Sequence, residues 1–292
     1  MTNILKKSLG QNFLKDKGIL KKIADFAQIE KEDTVVEVGP GEGTLTELLL
    51  ERAKKVIAVE KDDRMVEFLT RPPRIRESVA GGKKNFIDNK LEVIAGDILN
   101  IDLKIFPKNY ILVGNIPYYI TGALFKKTLE SKNPPKSLTF VVQKEVAERI
   151  MGSHFAKASR DKKESILSIS IKVYGTPEFG GVIKAGSFNP KPKVDSAILS
   201  VRNISKVRFE NVQEQDFFEI LKAGFAHKRK LLIKNLISSP RNTPRATLCN
   251  LETILRIFKK CGISEKARAE DLKVEDWFAM TRELLISSEF LH

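Results

Sequence analysis

The chain has 292 residues, of which 42% are hydrophobic and 30% charged, enough to bury a sizeable core and remain soluble. No apolar run approaches a membrane span, Met1 to Lys7 lacks the apolar centre of a signal peptide, and Cys249 and Cys261 show neither zinc-type spacing nor a disulfide framework. The formal net charge of +14 favours a polyanionic partner, because each phosphate neutralised by Lys or Arg releases counterions.

Taken in order, the predicted elements alternate. Thr34–Val38 reads as a short strand, followed by a helix through Leu45–Arg52. Lys55–Val59 is the next strand, then a helix from Asp62 to Leu69. Arg71–Asn89 is basic, contains Pro and Gly and lacks periodicity, so it reads as a loop insertion. Leu91–Ala95, Tyr110–Gly114 and Leu138–Val142 are further strands. Gly152–Lys163 is a second basic loop. Ser165–Tyr174 and Asp195–Asn203 follow with no convincing helix between them and are expected to pair antiparallel at the sheet edge. Strands alternating with helices predict an α/β fold with a mostly parallel sheet covered on both faces.

After residue 204 the pattern changes. Gln213–Gly224, Arg229–Ser238, Leu251–Cys261 and Val274–Leu285 are helical in period and no strand is evident. The expected organisation is therefore a domain over residues 1–204 and a small all-helical C-terminal domain over 205–292. Residues 220–251 hold seven basic residues and no acid. A solvated face usually mixes both signs, so this stretch suits phosphates.

The chemistry concentrates where strands end. "VVEVGPGEGTLTELL" is a strand, a loop Gly39-Pro40-Gly41-Glu42-Gly43 and a helix. Glycines there admit unusual φ angles and close ligand approach. The dinucleotide fingerprint G-x-G-x-x-G fails, because Thr44 stands at its third glycine. Glu60 closes the second strand, where an acid can accept hydrogen bonds from both hydroxyls of a ribose. Asp97 follows the third strand, placed to accept from an adenine amino group or to cap a turn. This order of glycine loop, ribose acid and adenine acid resembles the class I methyltransferases, Rossmann-like proteins that use S-adenosylmethionine.

The fourth strand then runs into Asn115-Ile116-Pro117-Tyr118. Methylating an exocyclic adenine amine requires holding a weak nucleophile whose lone pair is delocalised into the ring. The Asn115 side-chain oxygen and the Ile116 carbonyl can accept hydrogen bonds from its two N–H groups, Pro117 stiffens the turn, and Tyr118 offers a face for the base. "KKSLGQNFLKD" (6–16), "FVVQKEVAERI" (140–150), "GSFNPKPKVDSAIL" (186–199), "FAHKRKLLIKNL" (225–236) and "ARAEDL" (267–272) add to this turn. Together they resemble the small-subunit ribosomal RNA adenine N6,N6-dimethyltransferase family (KsgA or RsmA) over nearly the whole chain.

The resemblance implies that Gln11, Asn12 and Leu14 line the methionine end of the donor with Gly39 and Gly41 close by. It further implies that Glu60 and Lys61 serve the ribose, Asp97 and Ile98 the adenine, and Asn115 the donor side as well as the acceptor. Tyr118 and Phe188 would sandwich the target adenine, and Lys228, Arg229, Lys230 and Lys234 would meet rRNA. It implies dimethylation of two adjacent adenosines near the 3′ end of small-subunit rRNA within a pre-ribosomal particle, by a cytoplasmic monomer that needs no metal and no membrane. Tyr119 falls at a variable place and receives no role. Erm-type methylation of large-subunit rRNA and a non-catalytic RNA-binding assembly factor are the alternatives. A nicotinamide-dependent oxidoreductase is disfavoured by Thr44.

Overall fold

A computed structural model of the chain describes residues 12–70, 89–152, 163–238 and 250–289. Gln11, nearly all of the expected loop insertion, the middle of the second basic loop, and Arg241 and Arg245 lie outside them. The chain divides into two compact units, Met1–Ala147 with Thr176–Ile204, and Glu148–Gly175 with Ser205–His292.

The first unit is built on strands β2 (Thr34–Val38), β3 (Lys55–Glu60), β4 (Leu91–Ala95), β5 (Ile111–Asn115), β6 (Ser137–Gln143), β7 (Thr176–Ile183) and β9 (Ser196–Arg202). They form one sheet in the order β4-β3-β2-β5-β6-β9-β7. The five strands from β4 to β6 are parallel, and β9 runs antiparallel between β6 and β7. The strands form because runs such as Val35-Val36 and Ile111-Leu112-Val113 are wholly buried, as parallel strands covered on both faces must be. Helices α2 (Thr44–Leu50), α3 (Asp63–Thr70) and α4 (Thr121–Glu130) connect them, and α5 (Lys144–Met151) follows β6. The chain leaves β2 for β3 and β4 on one side, then returns to β5 and β6 on the other. That reversal opens a crevice at the carboxyl ends of β2 and β5.

Among the described residues, two elements precede the first predicted strand: β1 (Phe13–Leu14) and helix α1 (Lys17–Phe26). The Asp16 carboxylate caps α1 by accepting from the Ile19 N–H at 3.1 Å. The Arg202 guanidinium donates to the Phe26 and Ala27 carbonyls at its other end. β1 pairs antiparallel with β8 (Phe188–Asn189), in the register Phe13 to Asn189 and Leu14 to Phe188.

The structure corrects one predicted pairing. Ser165–Tyr174 is not a strand: it contains helix α6 (Ile166–Lys172), started by a reciprocal Ser165–Ser168 capping box. The edge strand beyond β9 is β7, whose register slips between Phe179 and Gly181.

The second unit is helical throughout its described residues. It contains α6 with α7 (Glu214–Gly224), α8 (Leu232–Ile237), α9 (Leu251–Cys261) and α10 (Val274–Glu289). Phe217, Phe258 and Trp277 are fully buried there, and the rings of Phe217 and Phe278 lie 4.6 Å apart. Among the described residues, no helix is long and apolar enough to cross a membrane.

Candidate active site

The crevice at the strand ends is a cleft of about 820 Å³, open mouth included. Its floor is the loop after β2. Gly41 has φ +54°, and a Cβ there would lie 2.6 Å from Cε1 of Phe13. Only glycine permits both that φ and that contact, so the Phe13 ring rests directly on the loop backbone.

At the end of β3 stands Glu60, nearly buried. One carboxylate oxygen accepts from the Gly41 N–H at 3.1 Å and the other from the Asp62 N–H at 2.8 Å. Burial pushes the carboxyl up from its ordinary range, and the backbone N–H groups oppose that rise. Glu60 thus ties the loop to the neighbouring strand while each oxygen keeps a further lone pair for a ligand hydroxyl.

Asp97 follows β4. Its Oδ1 accepts from the Leu99 N–H at 2.9 Å and its Oδ2 from the Lys61 ammonium at 2.8 Å. Partial burial alone would raise this carboxyl, but Lys61 and the Leu99 N–H together hold it below the ordinary carboxylate range. Ile98 beside it is buried and supplies an apolar wall.

The opposite wall is the end of β5. Asn115 donates through Nδ2 to the Asn12 carbonyl at 2.9 Å. That bond pins the N-terminal segment and orients the amide, leaving Oδ1 at the accepting end. Gly114 faces Val38 across the ladder, and a Cβ there would lie 2.8 Å from the Val38 carbonyl oxygen, so β2 and β5 approach closely just before Asn115. Pro117 is extended (φ −58°, ψ 134°) and starts a single 3₁₀ turn, Tyr118–Ile120. The Tyr118 hydroxyl shares a 2.6 Å hydrogen bond with Ser196 Oγ of β9. Partial burial raises its pKa, which that bond opposes, so it is a neutral phenol at pH 7.

The structure therefore brings Asn12, Gly39, Gly41, Glu60, Lys61, Asp97 and Ile98 onto one cleft, together with Asn115, Ile116, Pro117 and Tyr118. It differs at Leu14 and Phe188. Side chains alternate along a strand, so Phe13 faces the cleft while Leu14 faces the core. Phe188 is opposite Leu14 in register, and both are packed into the hydrophobic core. Neither is among the residues that line the cleft.

Three residues escaped the sequence reading. Phe13 signals itself only through its contact with Gly41. Tyr119 lines the mouth of the cleft and is 64% exposed. Glu37, within the apolar run of β2, is buried with Oε2 lacking a hydrogen-bond partner, and burial pushes its carboxyl up to about 8, so it is largely protonated at pH 7. An acid in a wholly buried strand was a signal available in "VVEVG".

In the second unit Lys228, Arg229 and Lys230 lie on the exposed turn between α7 and α8, and Lys234 is exposed on α8. Among the described residues no acid pairs with these four cations. The turn is held from beneath by buried Asn235, whose Nδ2 donates to the Gly224 carbonyl at 2.6 Å and the His227 carbonyl at 3.1 Å.

Comparison with known proteins points the same way. The family described as ribosomal RNA adenine dimethylase matches residues 2–285. The chain is 39% identical over 280 residues to ribosomal RNA small subunit methyltransferase A of Dehalococcoides mccartyi, covering 93% of this chain and 86% of that one. It is 36% identical over 283 residues to the protein of the same name from Bacillus mycoides, covering 96% and 91%. Among solved structures, a dimethyladenosine transferase from Plasmodium falciparum superposes with a TM-score of 0.70 at 29% identity, covering 92% of this chain and 95% of that one. The 23S rRNA methyltransferase ErmE superposes with a TM-score of 0.66 at 25% identity, covering 94% and 99%. A glycine loop and two strand-end acids facing Asn-Ile-Pro-Tyr, in a chain matched from end to end, make this protein a member of the ribosomal RNA adenine dimethylase family, an rRNA adenine methyltransferase.

Proposed function

We propose that this chain transfers methyl groups from S-adenosylmethionine to the exocyclic N6 of two adjacent adenosines near the 3′ end of small-subunit rRNA. The products are N6,N6-dimethyladenosines, and the reaction takes place within a pre-ribosomal particle during small-subunit assembly in the cytoplasm. The observation that carries this reading is the convergence of Glu60, Asp97 and Asn115 on one cleft.

The cleft suits the donor by chemistry. Glu60 accepts from the ribose hydroxyls, and Asp97 accepts from the adenine amine beside the apolar wall of Ile98. Asn12 and the Gly39–Gly41 backbone flank the amino-acid end. Bound there, the donor supplies an electrophilic methyl group. The rest is positioning by the chain's own residues. Asn115 Oδ1 and the Ile116 carbonyl accept hydrogen bonds from the adenine amine and turn its nitrogen toward the methyl; the proton displaced on transfer leaves to water. Tyr118, its hydroxyl anchored to Ser196, presents its ring to the base, a stack worth about 1–3 kcal/mol. Aligning two bound reactants removes much of the entropic barrier to a bimolecular transfer. The target base must leave its stack to enter. Within residues 1–204 we assign catalysis to the sheet-bearing unit, Met1–Ala147 with Thr176–Ile204, and we assign rRNA binding to 205–292, through Lys228, Arg229, Lys230 and Lys234, in a monomer.

The test is methyl incorporation from labelled S-adenosylmethionine into undermethylated small subunits and into large-subunit rRNA in parallel. Dimethyladenosine in the small-subunit RNA, lost in Asn115→Ala, is the expected result. Label confined to large-subunit RNA would move the chain to the activity named for ErmE. RNA binding without any label would make it an assembly factor.

A further inference from the structure

Two tyrosines follow Pro117, and only the first has a partner described so far. Successive residues of a 3₁₀ turn point about 120° apart, so Tyr118, Tyr119 and Ile120 leave the turn in three directions. Ile120 turns into the core. Tyr118 crosses toward β9, where its hydroxyl meets Ser196. In the sheet order β4-β3-β2-β5-β6-β9-β7 that is one side of β5.

Tyr119 takes the remaining direction. It lines the cleft together with Lys61, which follows β3, and Asp97, which follows β4. The Lys61 ammonium is held up chiefly by its 2.8 Å bond to Asp97, with the Tyr119 phenol a smaller contributor from nearby. The two rings therefore leave the turn in different directions while both line one cleft. At the β3–β4 end the wall already present is apolar Ile98, and the groups that read a nucleoside are Glu60 and Asp97. A ring that is 64% exposed on the rim above them is placed to cover a flat heterocycle.

Resting on the donor reading above, we propose that Tyr119 is a donor-binding residue whose ring closes over the purine of the methyl donor, leaving Tyr118 alone to take the target base. The two tyrosines divide the two adenines of the reaction between them. The consequence is that purine binding contributes affinity through a residue the acceptor RNA does not touch.

Titration calorimetry on the full chain tests this, with S-adenosylmethionine, S-adenosylhomocysteine and 5′-methylthioadenosine, which keeps purine and ribose but lacks the amino-acid end. Tyr119→Ala should weaken all three by a similar factor, between about fivefold and a hundredfold, the range for removing one aromatic ring from a base. Tyr119→Phe should stay within about twofold of the parent. Unliganded melting should not change in either variant, since the side chain is mostly in water. Parent-like binding of S-adenosylmethionine by Tyr119→Ala would overturn the assignment, as would a loss seen only in RNA binding. A parent chain that binds none of the three ligands would remove the donor reading of the whole cleft, an outcome distinct from a failure of Tyr119 alone.

Discussion

Gly114→Ala adds one methyl group where the backbones of β2 and β5 approach each other. The new Cβ would sit 2.8 Å from the Val38 carbonyl oxygen, 3.1 Å from Ile116 Cγ2 and 3.2 Å from Val38 Cβ. Carbon and oxygen normally meet at about 3.3 Å, so β5 must retreat from β2 by roughly half an ångström. Backbone on both sides cannot swing away as a side-chain tip can. Overpacking of this kind costs about 1–3 kcal/mol, which for a unit of this size lowers Tm by roughly 2–12 °C. The retreat also moves Asn115 and Ile116, the next two residues. Misplacement by about 1 Å costs on the order of a hundredfold in rate, so half of that should cost about tenfold. Gly122→Ala is the internal comparison: it lies in α4 with nothing within 4 Å of the added Cβ, and it should stabilise by up to about 1 kcal/mol. Thermal melting and methyl transfer would be measured on both variants. If Gly114→Ala melts and turns over like Gly122→Ala, the close β2–β5 contact does not position the Asn-Ile-Pro-Tyr turn.

Other outcomes follow from single contacts. Asn115→Asp keeps an acceptor but removes the N–H that meets the Asn12 carbonyl and sets a carboxylate against it; methyl transfer should fall by about a hundredfold, with donor affinity weakened as Asn12 is released. Glu37 holds its proton to about 8 in the folded chain against 4.5 as an ordinary carboxyl, so the folded state binds more protons across that window and loses stability as pH rises through it. Glu37→Gln, neutral in both states, should therefore gain in Tm on the parent as pH is raised from 4.5 to about 8, and parallel melting curves at all pH values would refute the raised titration of Glu37. Replacing Lys228, Arg229 and Lys230 together with alanine should weaken RNA binding and flatten the slope of log K against log salt by about 2, with donor affinity unchanged. An unaltered slope would place the phosphates elsewhere.

The catalytic centre was legible because β2, β3 and β5 are buried along most of their length and its polar residues sit where the strands stop. Val35 to Val38 and Ile111 to Val113 read as strands without any structural help, and Gly39, Glu60, Asp97 and Asn115 mark their ends. Ser165–Tyr174 misled because Ile169, Ile171 and Val173 alternate with Ser170 and Lys172, a strand-like period of two in β-branched residues. Its packing against α7 in the second unit overrides that local preference, and the Ser165–Ser168 cap was the one contrary sign. β7 was missed for the opposite reason, since Pro177, Gly180 and Gly181 argue against a strand. They are tolerated because β7 is at the edge and its register slips at Gly181. Phe188 could not be placed from sequence, because its direction depends on a two-residue ladder with β1.

The division of the chain has a consequence for making it. Residues Glu148–Gly175 belong to the helical unit, yet they are synthesised before β7 and β9 complete the sheet. On a ribosome α6 emerges with Ile169, Ile171, Val173 and Tyr174, all buried in the finished protein, and waits for α7 to cover it. A fragment stopped at residue 204 would carry a complete seven-stranded sheet and an uncovered greasy helix. It should therefore clump unless that helix is also cut out or masked with polar residues, so a workable catalytic fragment needs two excisions.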